Sequence, residues 1–165
     1  MKIYWVLLSL MMLVACATNR PINEGRQLLE SGQVEAGLDL LQEALARSPE
    51  DKELRVYYFR QRDVVVARRL EAADQARRDG FPDMAEAGYR QALRYDPASQ
   101  RAHAGLRELA AQGRRDALVK EASQHADRGN LAAAEARLRV VLAEEPGHPA
   151  ARDLMRVIEE KNARS

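Results

Sequence analysis

Cys16 is the only cysteine in the chain, and its type and position together suggest covalent chemistry. It closes an apolar run from Ile3 to Ala15 that follows a single charge, Lys2. With no second cysteine to pair with, its thiol in an exported chain would stay an unpaired reactive group unless it were modified. The other chemistry-bearing residues are scattered. His103, His125 and His148 form no His-Glu-x-x-His pattern of the kind a helical zinc site needs. The acid pairs Glu144-Glu145 and Glu159-Glu160 fall near expected helix ends and read as solvated charges. No glycine-rich loop offers backbone amides to a phosphate. These residues imply no catalytic group, no metal and no cofactor.

The run before Cys16 is about thirteen residues, short of the roughly twenty that span a bilayer. It has the length and flanks of the apolar region of a secretory signal. Its end, Leu13-Val14-Ala15-Cys16, resembles a bacterial lipoprotein signal. That resemblance implies cleavage after Ala15, a diacylglycerol thioether on Cys16 and an acylated amino group. Several acyl chains anchor a protein to a membrane, at about 0.8 kcal/mol per buried CH₂. By the same resemblance, Ala17 in place of an aspartate implies the outer membrane, periplasmic face. Residues 1–15 are then signal and 16–23 a lipidated tether, with Asn23 available to cap the first helix.

The remainder has the composition of a helical protein. Charged residues make up 31% and aromatics 5%, which excludes a β-rich domain and a low-complexity tail alike. The 26 Lys and Arg nearly balance 25 Asp and Glu, so there is no basic excess of the kind nucleic-acid binding requires. Local basic runs such as Arg60-Gln-Arg62 and Arg114-Arg115 sit among acids and read as solvated helix faces.

An eighteen-residue segment occurs three times: Gly32 to Pro49, Gly80 to Pro97 and Gly129 to Pro146. Five residues after each Gly comes Gly37, Ala85 or Ala134. Nine after comes Leu41, Tyr89 or Leu138. Twelve and thirteen after come Ala44-Leu45, Ala92-Leu93 and Val141-Leu142. Glycine ends a helix and proline stops the next, so each segment predicts a helix bounded by these two residues. The predicted helices are 24–31, 34–47, 83–95, 131–144 and 148–162, with long helical segments over 51–79 and 98–128. A bend or break is expected at Val64-Val65-Val66, whose β-branched side chains lower helix propensity, and a kink at Gly113. Tyr57-Tyr58-Phe59 is the only aromatic cluster, expected to pack between helices; the alternative is that part of it is a binding surface.

With the final Pro at position 32, Gly falls at 15, a small residue at 20, a large one at 24 and the Ala-Leu pair at 27–28, a pattern that resembles the tetratricopeptide repeat. Position 8 holds Gly25, Ala73 and Ala122. The aromatic usual at position 11 is replaced by Leu28, Ala76 and His125, and the spacing is 48 and then 49 residues rather than 34. The fold class expected is therefore all-α, a tetratricopeptide-like helical-hairpin array of three divergent repeats with lengthened helices, over 24–162. The resemblance implies a partner groove lined by Arg26, Leu29 and Glu30; Leu70, Asp74 and Arg77; and Asp116, Val119, Ser123 and Asp127.

A lipobox followed by Glu-Gly-Arg-Gln-Leu-Leu-Glu-Ser-Gly-Gln-Val-Glu-Ala-Gly-Leu and repeats with long Arg/Ala-rich helices is similar to the N-terminal region of secretin-family proteins of type II secretion and type IV pilus systems. Those chains continue into a β-rich ring-forming domain, so pore activity is not carried over to this region. The resemblance implies an outer-membrane scaffold for protein partners, secretin or pilus and secretion components among them. A general envelope or outer-membrane assembly factor would show the same array. An accessory subunit of a cell-wall enzyme would need a catalytic acid or nucleophile, for which no candidate is found.

Overall fold

A computed structural model describes residues 20–163; Cys16, with the expected signal and most of the tether, lies outside them. Among the described residues the protein is all-helical, with seven helices and no strand. They are α1 (20–30), α2 (Val34–Arg47), α3 (Lys52–Arg78), α4 (Pro82–Tyr95), α5 (Gln100–Asp127), α6 (Leu131–Glu144) and α7 (Pro149–Ala163). The chain divides into two compact units between Ala102 and His103, inside α5.

The turns are alike in all three copies. Gly32, Gly80 and Gly129 have φ of 83°, 79° and 79°, the left-handed region that only glycine enters without a Cβ penalty. After each, the next amide reaches back to close the preceding helix: Gln33 to Leu28, Phe81 to Ala76 and Asn130 to His125, at 2.8–2.9 Å. This is a Schellman cap, which satisfies carbonyls that a helix end otherwise orphans. At the far end of each copy, Asp51, Ser99 and His148 stand two residues beyond the Pro. Asp51 Oδ1 accepts from Leu54 N–H at 3.0 Å, Ser99 Oγ from Ala102 N–H at 3.4 Å and His148 Nδ1 from Ala151 N–H at 3.3 Å. Three different side chains thus make the same N-cap.

In the first unit, small residues set the distance between helices. A Cβ added to Gly25 would lie 2.6 Å from Leu41 Cγ, and one on Gly37 would lie 2.9 Å from Leu29 Cγ. The pairing of 25 with 41 and 29 with 37 makes α1 and α2 antiparallel. Helices α3 and α4 pair likewise, with Gly88 against Ala73. The α3 helix packs on α2 as well as on α4. At 1.5 Å per residue it is about 40 Å long, enough for its first half to serve one hairpin and its second half the next. The second unit has its own core, where Ala122 and Ala126 of α5 meet Ala134, Leu138 and Val141 of α6 and Ala151 and Ile158 of α7.

Most of the predicted inward positions are core. Leu41, Tyr89 and Leu138 have no exposed surface, nor do Ala85, Ala92, Ala134 and Val141. Two expectations are corrected. Residues 20–23 are the start of α1 rather than tether, and Ile22 among them is 4% exposed. The helix therefore begins before the expected start, with Ile22 buried, and Asn23 is an interior helix residue and not a cap. The α3 helix runs unbroken through Val64-Val65-Val66 because Val65 and Val66 are buried, and packing outweighs the small propensity penalty. Gly113 lies within the continuous helix α5.

The glycines should therefore respond differently to substitution. Gly25→Ala forces a methyl onto the end of the Leu41 side chain, which must then shift within a fully buried site, and should cost about 1–3 kcal/mol. Gly113→Ala meets nothing within 4 Å and should stabilise by up to about 1 kcal/mol through helix propensity. Urea denaturation of the two variants checks both signs.

Candidate functional site

The expected groove residues fall in both units. In the first, Arg26 and Glu30 are exposed on α1. They line an open groove of about 350 Å³ with Leu29, Val34, Tyr57, Gln61, Val64 and Arg68. The Arg26 guanidinium lies 5.6 Å from the centre of the Tyr57 ring, an arrangement the ring quadrupole favours. Its lining mixes the apolar residues Leu29, Val34 and Val64 with charges of both signs, Arg26 and Arg68 against Glu30. Such a surface suits an extended or helical peptide better than a small molecule, because it is open and shallow.

The second expected cluster does different work. Leu70 is 6% exposed and belongs to the core rather than to a binding face. Asp74 is engaged: Tyr89 donates its hydroxyl to Oδ1, and Arg101 donates Nε–H to Oδ2 at 2.9 Å. Burial alone would raise the carboxyl's pKa, but the hydrogen bonds from Tyr89 and Arg101 outweigh it and hold the carboxyl below the ordinary aspartate value. The Tyr89 phenol is shifted the other way, first by burial and then by its bond to the carboxylate, while Arg77 partly offsets the rise. Asp74 and Arg77 are thus structural partners of the Tyr89 hydroxyl. Among the described residues Tyr89 is the largest fully buried side chain, and it occupies the slot that Leu41 and Leu138 fill in the other copies. It needs a hydrogen-bond partner that leucine does not.

In the second unit, Asp116 and Asp127 are exposed and Ser123 is half-buried. Asp116 Oδ1 lies 3.7 Å from His148 Nε2, which places it against the cap of α7. The basic and acidic pairs expected to be solvated are tied together here. The Arg115 side chain is 12% exposed and sits between Glu108, at 2.9 Å, and Glu145, also at 2.9 Å, with Glu144 at 3.9 Å. Among the described residues no group of three or more His, Cys, Asp and Glu is placed to hold a metal ion, and no helix is long and apolar enough to cross a membrane.

Sequence reasoning named Arg26, Leu29 and Glu30 of this groove and singled out the aromatic cluster that holds Tyr57, but it missed Gln61, Val64 and Arg68. It took the contribution of α3 from Leu70, Asp74 and Arg77, one hairpin further on, whereas the middle of α3 passes beside α1. The aromatic cluster was the available signal, and the structure splits it. Tyr58 is buried, with its hydroxyl 3.4 Å from Gln42 Oε1; Phe59 is 39% exposed; and Tyr57 lies under Arg26. A second cavity of about 600 Å³ opens on α2 and α4, lined by Asp39, Leu40, Gln42, Glu43, Ala46 and Arg94. Asp39 is held there by Arg94 at 2.6 Å and by the Tyr95 hydroxyl at 3.3 Å.

Comparison with known protein families, with curated proteins and with solved structures finds no match for this chain. The arrangement of its own residues is what bears on function.

The Asp74 cluster gives a signed pH dependence. Because the folded carboxyl titrates below its unfolded value, its contribution is complete above the ordinary aspartate pKa and is lost as pH falls through the depressed value. Asp74→Asn should cost about 1–3 kcal/mol near neutrality and flatten the acid limb of the stability profile. Chemical denaturation from pH 7 to pH 3 measures both effects.

Proposed function

We propose that the protein is a tetratricopeptide-like scaffold, lipid-anchored through Cys16 to the periplasmic face of the outer membrane, that holds protein partners during secretin or type IV pilus assembly. The observation that carries the scaffold reading is the threefold recurrence of one unit of structure. Each copy has a glycine-capped turn, a fourteen-residue helix, a proline and an N-capped helix. Small residues stand where the helices cross. The 48- and 49-residue spacing fits this reading because α3 and α5, with 27 and 28 residues, are each long enough to pass from one hairpin into the next. The groove beside α1, with Arg26 and Glu30 on its rim, is the proposed partner surface.

What supports the anchor is the lone cysteine at the end of the apolar run. Cys16→Ser should abolish palmitate labelling and shift the chain out of the membrane fraction; labelling that persists would sink the lipoprotein assignment. Cells lacking the protein should lose secretin multimers from their outer membrane. Normal multimers alongside a wider loss of outer-membrane proteins would favour a general assembly factor instead.

A further inference from the structure

One exposed apolar cluster in the first unit is unexplained by repeat packing. Helix α3 turns Val56 (68% exposed) and Phe59 (39% exposed) outward, three residues apart and so neighbours on one face. In the other two copies the slot of Val56 holds Ala104 and Asp153, and that of Phe59 holds Arg107 and Arg156. The repeat therefore does not require apolar side chains there; only the copy nearest Cys16 has them. Over residues 50–63 the four cations Lys52, Arg55, Arg60 and Arg62 are matched by four acids, Glu50, Asp51, Glu53 and Asp63, but on the apolar face itself Lys52 and Arg60 stand with one acid, Asp63, which Arg62 pairs. The Arg62 guanidinium stacks over the Phe59 ring at 4.6 Å and pairs with Asp63. Lys52 and Arg60 lie exposed on the same side of the helix as the two apolar residues.

The register of the helices fixes where this patch lies. Antiparallel packing of α1 on α2 sets the start of α1 beside the end of α2, where the turn through Pro49 leads into the first residues of α3. The patch is thus at the end of the unit from which the chain runs to Cys16. From Cys16 to Arg20 is four residue steps, about 14 Å at full extension. A lipid on Cys16 must therefore hold this end of the unit within about two headgroup depths of the hydrocarbon.

We propose that Lys52, Val56, Phe59 and Arg60 dock on the surface of the membrane that anchors Cys16, with anionic lipid headgroups as the ligand. The proposal rests on the lipoprotein reading. Aromatic and aliphatic side chains partition into the interfacial layer, and adjacent cations pair with headgroup phosphates. Such a patch is weak alone, but the short tether supplies it at high effective concentration. Docking would fix the first hairpin against the bilayer rather than leave it to swing on its lipid.

The test is fluorescence quenching in the full lipidated protein. Its one tryptophan, Trp5, lies in the segment expected to be removed, so Phe59→Trp introduces a single reporter. Phe81→Trp is the control: that site is 57% exposed and lies beyond the other end of α3, about 30 Å away along the helix. In phosphatidylethanolamine and phosphatidylglycerol vesicles with brominated acyl chains, emission from Phe59→Trp should fall to roughly half, as for a side chain at the headgroup–acyl boundary, and emission from Phe81→Trp should not change. Adding Arg60→Glu to Phe59→Trp should relieve the quenching. Protein that carries palmitate and floats with the vesicles, yet shows no quenching at 59 or equal quenching at 59 and 81, overturns the docking proposal alone. Protein that carries no palmitate overturns the anchor reading and the docking proposal with it.

Discussion

The fold depends on how closely two helices can approach at a position with almost no side chain. Gly25 against Leu41, and Ala73 against Gly88, bring backbones to a distance that a larger residue would forbid. The large side chain of each copy then fills the space beside the crossing. Leu41, Tyr89 and Leu138 are fully buried for this reason. The left-handed glycine before each second helix serves the same end, since it reverses the chain in few enough residues to keep the pair antiparallel and in contact.

That constraint makes the caps interchangeable. An aspartate, a serine and a histidine hold the same place two residues beyond the proline, and each accepts the amide three residues on. The requirement at that position is an acceptor atom at the right reach, and three chemistries meet it. The histidine adds a link the others lack, because its second nitrogen faces Asp116. Polar groups are used similarly in the middle copy. Tyr89 brings a hydroxyl into a slot that elsewhere is leucine, and Asp74, Arg101 and Arg77 gather around it. A cluster that looks like a binding site from spacing alone is thereby committed to holding the structure.

The candidate surface is what remains after these commitments. Arg26 and Glu30 stay available at the rim beside α1, while Leu70 and Asp74 are drawn inward. The exposed apolar residues of α3 fall where the repeat slots of the other copies are polar or small, which marks them as features of this copy rather than of the architecture. Both surfaces lie on or next to the half of α3 closest to the proposed anchor.

Helix type and extent were legible in the sequence. The bounds of α2 and α6 match those read from glycine, proline and apolar spacing, because local caps decide them, and the inward slots nine and twelve residues after each glycine are buried as their periodicity required. Local rules could not tell that Ile22 would be buried and draw residues 20–23 into α1, or that Val65 and Val66 would keep α3 continuous. Both outcomes depend on a neighbouring helix that sequence spacing does not locate. The groove was legible only in part for the same reason. Which half of a long helix lies beside α1 is set by the register of packing, a property of two surfaces in contact and not of either sequence segment alone.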